Sequence, residues 1–330
     1  DIVKQIVDAY TDEGIDVILY FSVMDWNQGG WKYSVSDIEK DPEKWEGFKQ
    51  FTKNQIFELM DNYPKAKGLW FDGTWDDSWV SEAKFAHDLE NEIKQRRPDY
   101  IVGSRFRADE YGNRQCDANG DLIGDYDQTW ERDIPTSIDQ LNGNDWDCAM
   151  TIPENGWGYD QKWTTYVKTS DELIQMISKC ASMGGNFVLN FGPDGNGDIR
   201  PEETAIATNI GNWMKQNGEA IYGTEPVDFR KQGWGFMTKK GNKLYLHVYN
   251  RPISNVMKLE FSRKTFVPGK VKVLSDGKVL QTQDAGRNKK NNRLFNILLP
   301  ADYTTNSAFV IEVELIDNSG DVDAYQQAKV

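Results

Sequence analysis

At 330 residues, 38% of them apolar, the chain has room for two domains or for one barrel with an appendage. Its net charge of -14 is unevenly placed: residues 1–226 hold 42 acidic and 21 basic side chains and residues 227–330 hold 10 and 17, so the larger part repels nucleic-acid phosphates and DNA or RNA is not an expected partner. No apolar run approaches the ~20 residues of a membrane span, and no signal peptide is visible ahead of the helical pattern that begins at Asp1.

Apolar residues at Ile2, Val3, Ile6, Val7 and Tyr10 trace one helical stripe, which Gly14 ends. Ile15–Phe21 is a continuous apolar run and reads as a strand buried on both faces. Pro42–Asn62 reads as helix, Lys67–Asp72 as strand, and Ser78–Gln95 as one helix with Ser81 as a plausible cap. Tyr100–Arg105, Gly124–Glu131, Asp147–Ile152 and Asn186–Phe191 are further short strands, with helices over Ser170–Met183 and Pro201–Gln216. Six strands alternating with helices imply parallel pairing in a β/α architecture. Near Thr224–Val227 the pattern changes to short alternating strands with Gly and Asn turns, among them hairpins at Lys239–Lys243 and Ser275–Lys278. The expected organisation is therefore a β/α domain over 1–226, an all-β sandwich over 227–317 and a polar, frayed tail over 318–330.

Two histidines, His87 and His247, and three scattered cysteines leave no zinc spacing and no disulfide framework. The G-x-G-x-x-G fingerprint is absent, and the Gly-rich run Gly184–Asp198 lacks the Gly-Lys-Ser/Thr of a phosphate loop. Asp117–Asp125 and Asp194–Asp198 mimic the start of a calcium loop, but neither has Gly at the sixth position. Carboxylates remain as the plausible catalysts. In β/α barrels the site lies at the C-terminal ends of the strands, and two strands end there in an acid: Asp72 and Glu131. An Asp before Gly is usually a turn former. Trp70, Trp75 and Trp79 around Asp72 argue for more, since flat aromatic faces line sugar clefts. Two carboxylates flanking one bond are what glycoside hydrolysis requires, and Trp130 beside Glu131 would favour its protonated form.

Four segments then carry a resemblance. GLWFDGTW (Gly68–Trp75) resembles the nucleophile motif of the α-L-fucosidases of glycoside hydrolase family 29. Gly184–Glu203, Asn212–Pro226 and Asp1–Trp26 resemble further family segments in the same order. The resemblance implies a (β/α)8-type barrel, six of whose eight strands are present in this chain, followed by the family's all-β sandwich. It implies a retaining exo-α-L-fucosidase that needs no cofactor and no metal, acts on fucosylated oligosaccharides or glycoconjugates, and is secreted or periplasmic. Asp72 is similar to the nucleophile and Glu131 to the acid/base, with Glu154 and Asp147 as alternatives. Arg105, Tyr20 and Trp157 match positions that bind the sugar. The family's sugar-binding histidines of the first two strands have no counterpart here. Unpaired strand edges would then favour a homo-oligomer, or a fucosidase-like protein that binds carbohydrate with little or no turnover.

Overall fold

The computed structural model describes residues 1–154, 156–162, 165–227, 232–261, 266–300 and 308–317. The chain falls into two units, Asp1–Trp130 with Asp139–Asp147, and Glu131–Ile138 with Cys148–Val330. In the first unit, helix α1 (Ile2–Asp12) opens with the Asp1 carboxylate accepting from the Lys4 amide. Strand β1 (Ile18–Ser22) follows. A short helix that the sequence pattern did not suggest, α2 (Val35–Lys40), is capped by Ser34. Helix α3 (Pro42–Asn62) has Pro at its first turn and Asp41 as cap. It buries Trp45, Phe48, Thr52, Ile56 and Met60 at spacings of three and four, with Phe57 beside them, the stripe that seats it on the core of this unit. Strand β2 (Gly68–Asp72) pairs in parallel with β1, Tyr20 opposite Trp70 and Ser22 opposite Asp72, and with β3 (Ile101–Val102).

Three expectations need correcting. The helix expected over Ser78–Gln95 is two, α4 (Asp77–Val80) and α5 (Ala83–Arg96). Ser81 lies between them and its hydroxyl donates back to the Ser78 carbonyl, so it ends α4 rather than starting α5. The chain breaks there because Trp79 is drawn fully into the core, its ring N–H on the Phe106 carbonyl at 2.8 Å. Strand β1 is not buried on both faces. Phe21 packs into the core, whereas Ile18 and Tyr20, on the opposite face, are exposed. The strand expected to reach Arg105 stops at Val102, and a 3₁₀ turn over Ser104–Phe106 carries the arginine.

A parallel bridge between Gly103 and Tyr126 leads to strand β4 (Asp127–Glu131). Strands β4, β5 (Trp146–Thr151) and β6 (Asn186–Asn190) form a second sheet in that order. Between β5 and β6 runs helix α6 (Ser170–Ser182), opened by a reciprocal cap in which Thr169 and Glu172 each hold the other's amide. Helix α7 (Pro201–Asn217) follows β6.

The remainder is two antiparallel sheets. One has the order β10-β13-β8-β7, from β7 (Gly235–Lys240), β8 (Lys243–Val248), β10 (Phe266–Val273) and β13 (Phe309–Asp317). The other has the order β11-β12-β9, from β9 (Val256–Phe261), β11 (Gln281–Arg287) and β12 (Arg293–Leu298). Leu244, Leu246, Ile311 and Val313 join Met257, Leu259 and Ile297 in one core. Alternate positions Tyr245 and Val310 face the other way and pack with Trp213 and Ile174 of the helices, so β8 is buried almost throughout. Strand β11 has no apolar signature: every residue of it is exposed, and its pairing with β12 holds it in place. The tail expected to fray, 318–330, lies outside the described residues.

Candidate active site

Asp72 is the last residue of β2, and Gly73 turns the chain away at φ +68. A side chain at Gly73 would meet Ser22 Oγ at 2.7 Å and Met24 Cβ at 2.8 Å, so the turn after Asp72 depends on glycine for both conformation and space. Both oxygens of Asp72 are gripped. The Tyr20 hydroxyl donates to Oδ2 at 2.7 Å, and Arg105 Nη1 donates to Oδ1 at 3.1 Å. Parallel register sets Tyr20 beside Trp70, from where its hydroxyl reaches Asp72, and the 3₁₀ turn delivers Arg105, whose Nε also donates to the Gln128 carbonyl at 3.2 Å. Trp70, two residues before Asp72 and on the same face, lies against both donors. Its ring stacks on Tyr20 at 5.7 Å, and the Arg105 guanidinium sits 4.7 Å from its centroid. Burial and the neighbouring Asp72 carboxylate push the Tyr20 hydroxyl well above its ordinary pKa, so it stays a donor.

Of the three tryptophans expected to wall Asp72, Trp70 does so. Trp79 is core, and Trp75 is exposed. Asp147, an alternative acid/base, is 5% exposed and accepts from the Trp70 ring N–H at 3.2 Å. Burial, more than any neighbour, raises its pKa to about 6. No local pattern signals this partnership, since the two residues are 77 positions apart.

Glu131, Trp157 and Glu154 belong to the second unit. Glu131 ends β4, partly exposed, with Arg132 Nη2 at 3.2 Å from its Oε1. The ring N–H of Trp130, next to it on β4, donates to Asp127 Oδ2 at 3.0 Å. The Arg132 guanidinium also lies 5.4 Å from the Trp157 ring centroid, so one arginine brings Glu131 and Trp157 together. Arg132 was missed from the sequence; its backbone adopts φ 57, a strained setting for a non-glycine residue. Trp157 is held from below by β6, where Asn190 Nδ2 donates to its carbonyl at 2.7 Å. Gly192 lets the segment close in, for a Cβ there would sit 2.9 Å from the Gly158 carbonyl carbon and the Tyr159 nitrogen. Glu154 is exposed, and its backbone amide bonds to the Tyr166 carbonyl.

The two loops that mimic calcium sites spend their first carboxylate on their own backbone. Asp117 Oδ1 accepts from the amides of Asn119 and Asp121, and Asp194 Oδ1 from those of Asn196 and Asp198. Among the described residues no cluster of three His, Cys, Asp or Glu side chains could hold a metal, and no helix is long and apolar enough to cross a membrane.

Residues 1–219 match the family model for alpha-L-fucosidase. Tissue alpha-L-fucosidase of Rattus norvegicus is 26% identical over 242 residues, 71% of this chain and 49% of the relative. That of Homo sapiens is 26% identical over 276 residues, 79% of this chain and 53% of the relative. The chain thus spans about half the length of the curated relatives it matches. Among solved structures, an alpha-L-fucosidase of Bacteroides thetaiotaomicron superposes with a TM-score of 0.88 at 38% identity, over 96% of this chain and 71% of that one. It was trapped as a covalent intermediate in complex with 2-fluoro-fucosyl fluoride, using a glutamate-to-glutamine mutant. Alpha-L-fucosidase isoenzyme 1 from Paenibacillus thiaminolyticus gives a TM-score of 0.80 at 25% identity, over 96% of this chain and 76% of that one.

Proposed function

The chain belongs to the alpha-L-fucosidase family, and from that membership we propose that it carries the catalytic pair of a retaining exo-α-L-fucosidase acting on terminal α-L-fucose of glycans. The observation that carries this reading is the setting of Asp72: a strand-end carboxylate with a donor on each oxygen and an indole behind the donors. Asp72 attacks the anomeric carbon as the bond to the leaving oxygen breaks, and Glu131 gives its proton to that oxygen. Glu131 then takes a proton from water, the water oxygen attacks the anomeric carbon, and the bond to Asp72 breaks to free fucose. Tyr20 and Arg105 hold the carboxylate in one orientation for attack and receive it again as leaving group. Trp157 offers its ring to the apolar face of the sugar. The covalent intermediate of the Bacteroides relative, obtained with a glutamate-to-glutamine mutant, supports both roles.

The same reading takes the six strands β1–β6 as six of the eight of a (β/α)8-type barrel, with the sandwich as its companion domain. Exposed Ile2, Ile6 and Tyr10 on α1 and Ile18 on β1 support self-association as part of it.

The experiment is hydrolysis of an aryl α-L-fucoside by the 330-residue chain and by its Asp72→Ala variant. The variant loses several orders of magnitude in kcat while keeping its thermal stability, because strand-end site residues serve chemistry more than folding. Added azide restores part of the turnover and gives the glycosyl azide of inverted configuration. Near-normal activity without Asp72 overturns the assignment.

A further inference from the structure

The grip on Asp72 has a second tier. Tyr20 and Arg105 supply the two donors, and both rest on the Trp70 indole. An indole ring alone can slide in its plane. This one is fixed by its single polar atom, the ring N–H, on Asp147 Oδ2 at 3.2 Å. Asp147 sits on β5, 5% exposed, and the Tyr126 hydroxyl stands against the same carboxyl. A carboxylate buried this deeply costs folding free energy, and an apolar residue would avoid that cost. What this carboxylate does in return is anchor the ring. We propose that Asp147 is a positioning residue for Asp72, acting through Trp70: it fixes the platform from which Tyr20 and Arg105 present their donors to the two carboxylate oxygens. The proposal rests on the reading of Asp72 as nucleophile.

Its chemistry makes it testable. The groups facing the Asp147 carboxyl are the Trp70 ring N–H, the Arg105 guanidinium, the Tyr126 hydroxyl and the Asp127 carboxylate. Burial places its titration at about pH 6. Above that value the bond from Trp70 is charge-assisted; below it the acceptor is a neutral carboxylic acid and the bond weakens.

Two measurements on the full chain decide the matter. In the first, the indole N–H signals are followed by ¹⁵N–¹H NMR against pH, and Trp70 is identified by the peak that Trp70→Phe removes. Its peak shifts with a midpoint near pH 6 in the parent and stays fixed in Asp147→Asn. In the second, kcat/KM for an aryl α-L-fucoside falls about tenfold in Asp147→Asn and in Trp70→Phe alike, and the double variant is no worse than the poorer single one. A Trp70 peak that ignores both pH and Asp147→Asn overturns the proposal. So do losses that multiply in the double variant, which mean that Asp147 acts by another route. So does a loss in Asp147→Asn confined to substrates with poor leaving groups, which makes Asp147 a proton donor. Absence of hydrolysis by the parent chain overturns the fucosidase reading instead, and the NMR titration then decides the Asp147 anchor by itself.

Discussion

Glu131 and Asp72 are both strand-end acids with different surroundings, and the proposed mechanism gives them different tasks. Asp72 has donors on both oxygens, an arrangement that holds the carboxylate in one orientation, as attack on a carbon requires. Glu131 has the Arg132 guanidinium beside it, and that same guanidinium lies over Trp157. An acid/base residue is needed most when the leaving group is a poor one. Glu131→Ala therefore slows oligosaccharide or alkyl fucosides far more than an aryl fucoside with a good leaving group, and the comparison of kcat/KM across a leaving-group series checks it. Should Glu154→Ala show that dependence while Glu131→Ala does not, the role passes to Glu154.

At the level of elements, β6 does more than complete a sheet. Its Asn190 holds the Trp157 carbonyl, and the residue after next, Gly192, leaves room for Gly158 and Tyr159. The strand end and the glycine after it thus seat the backbone that carries Trp157. Gly192→Ala places a methyl group 2.9 Å from backbone atoms that have no rotamer to escape by. It destabilises by about 1–3 kcal/mol, as overpacking does, and displaces Trp157. The expected outcome is a lower Tm together with a raised KM for fucosides. Gly195→Ala is the control, since a Cβ there meets nothing within 4 Å. Equal behaviour of the two variants would remove the seat from the account.

On the scale of the whole molecule, His247 ties acid stability to the docking of sandwich on helices. It is fully buried on β8, with Nε2 3.0 Å from Thr238 Oγ1. Thr238 spends its one hydroxyl proton on the Ala220 carbonyl at 2.7 Å, so Nε2 must carry the imidazole proton and donate. Nδ1 is bare and, among the described residues, without a partner, and burial lowers the imidazole pKa from 6.5 to about 4. The unfolded chain therefore takes up this proton first as pH falls. The stability that His247 contributes is whole above pH 6.5 and is lost progressively down to about pH 4, by about 2–3 kcal/mol in all. Urea denaturation at pH 7 and pH 4.5 tests this. His247→Gln is the less stable protein at pH 7, but its loss on acidification is smaller by about that amount. Identical losses in the two proteins would show that His247 does not titrate in this window.

What was legible in the sequence is what local chemistry decides. Helix α3 spans the residues expected because Asp41, Pro42 and the spacing of Trp45, Phe48 and Ile56 act within a few positions of one another. Asp72 could be singled out because a strand, an acid and a glycine stand in immediate succession, and the family segments run in order along the chain. Tertiary structure decided the rest, for reasons that no local window contains. Strand β11 carries no apolar face and exists through its partner. The break between α4 and α5 follows from the burial of Trp79 against Phe106, and the exposure of Tyr20 from the face of β1 that it shares with the site. Which of three tryptophans serves Asp72 depends on parallel register, which sets Trp70 beside Tyr20. The anchor beneath it, Asp147, comes from a strand 77 positions away, because hydrogen bonds that fix a ring depend on distance in space, and only the folded sheet makes that distance short.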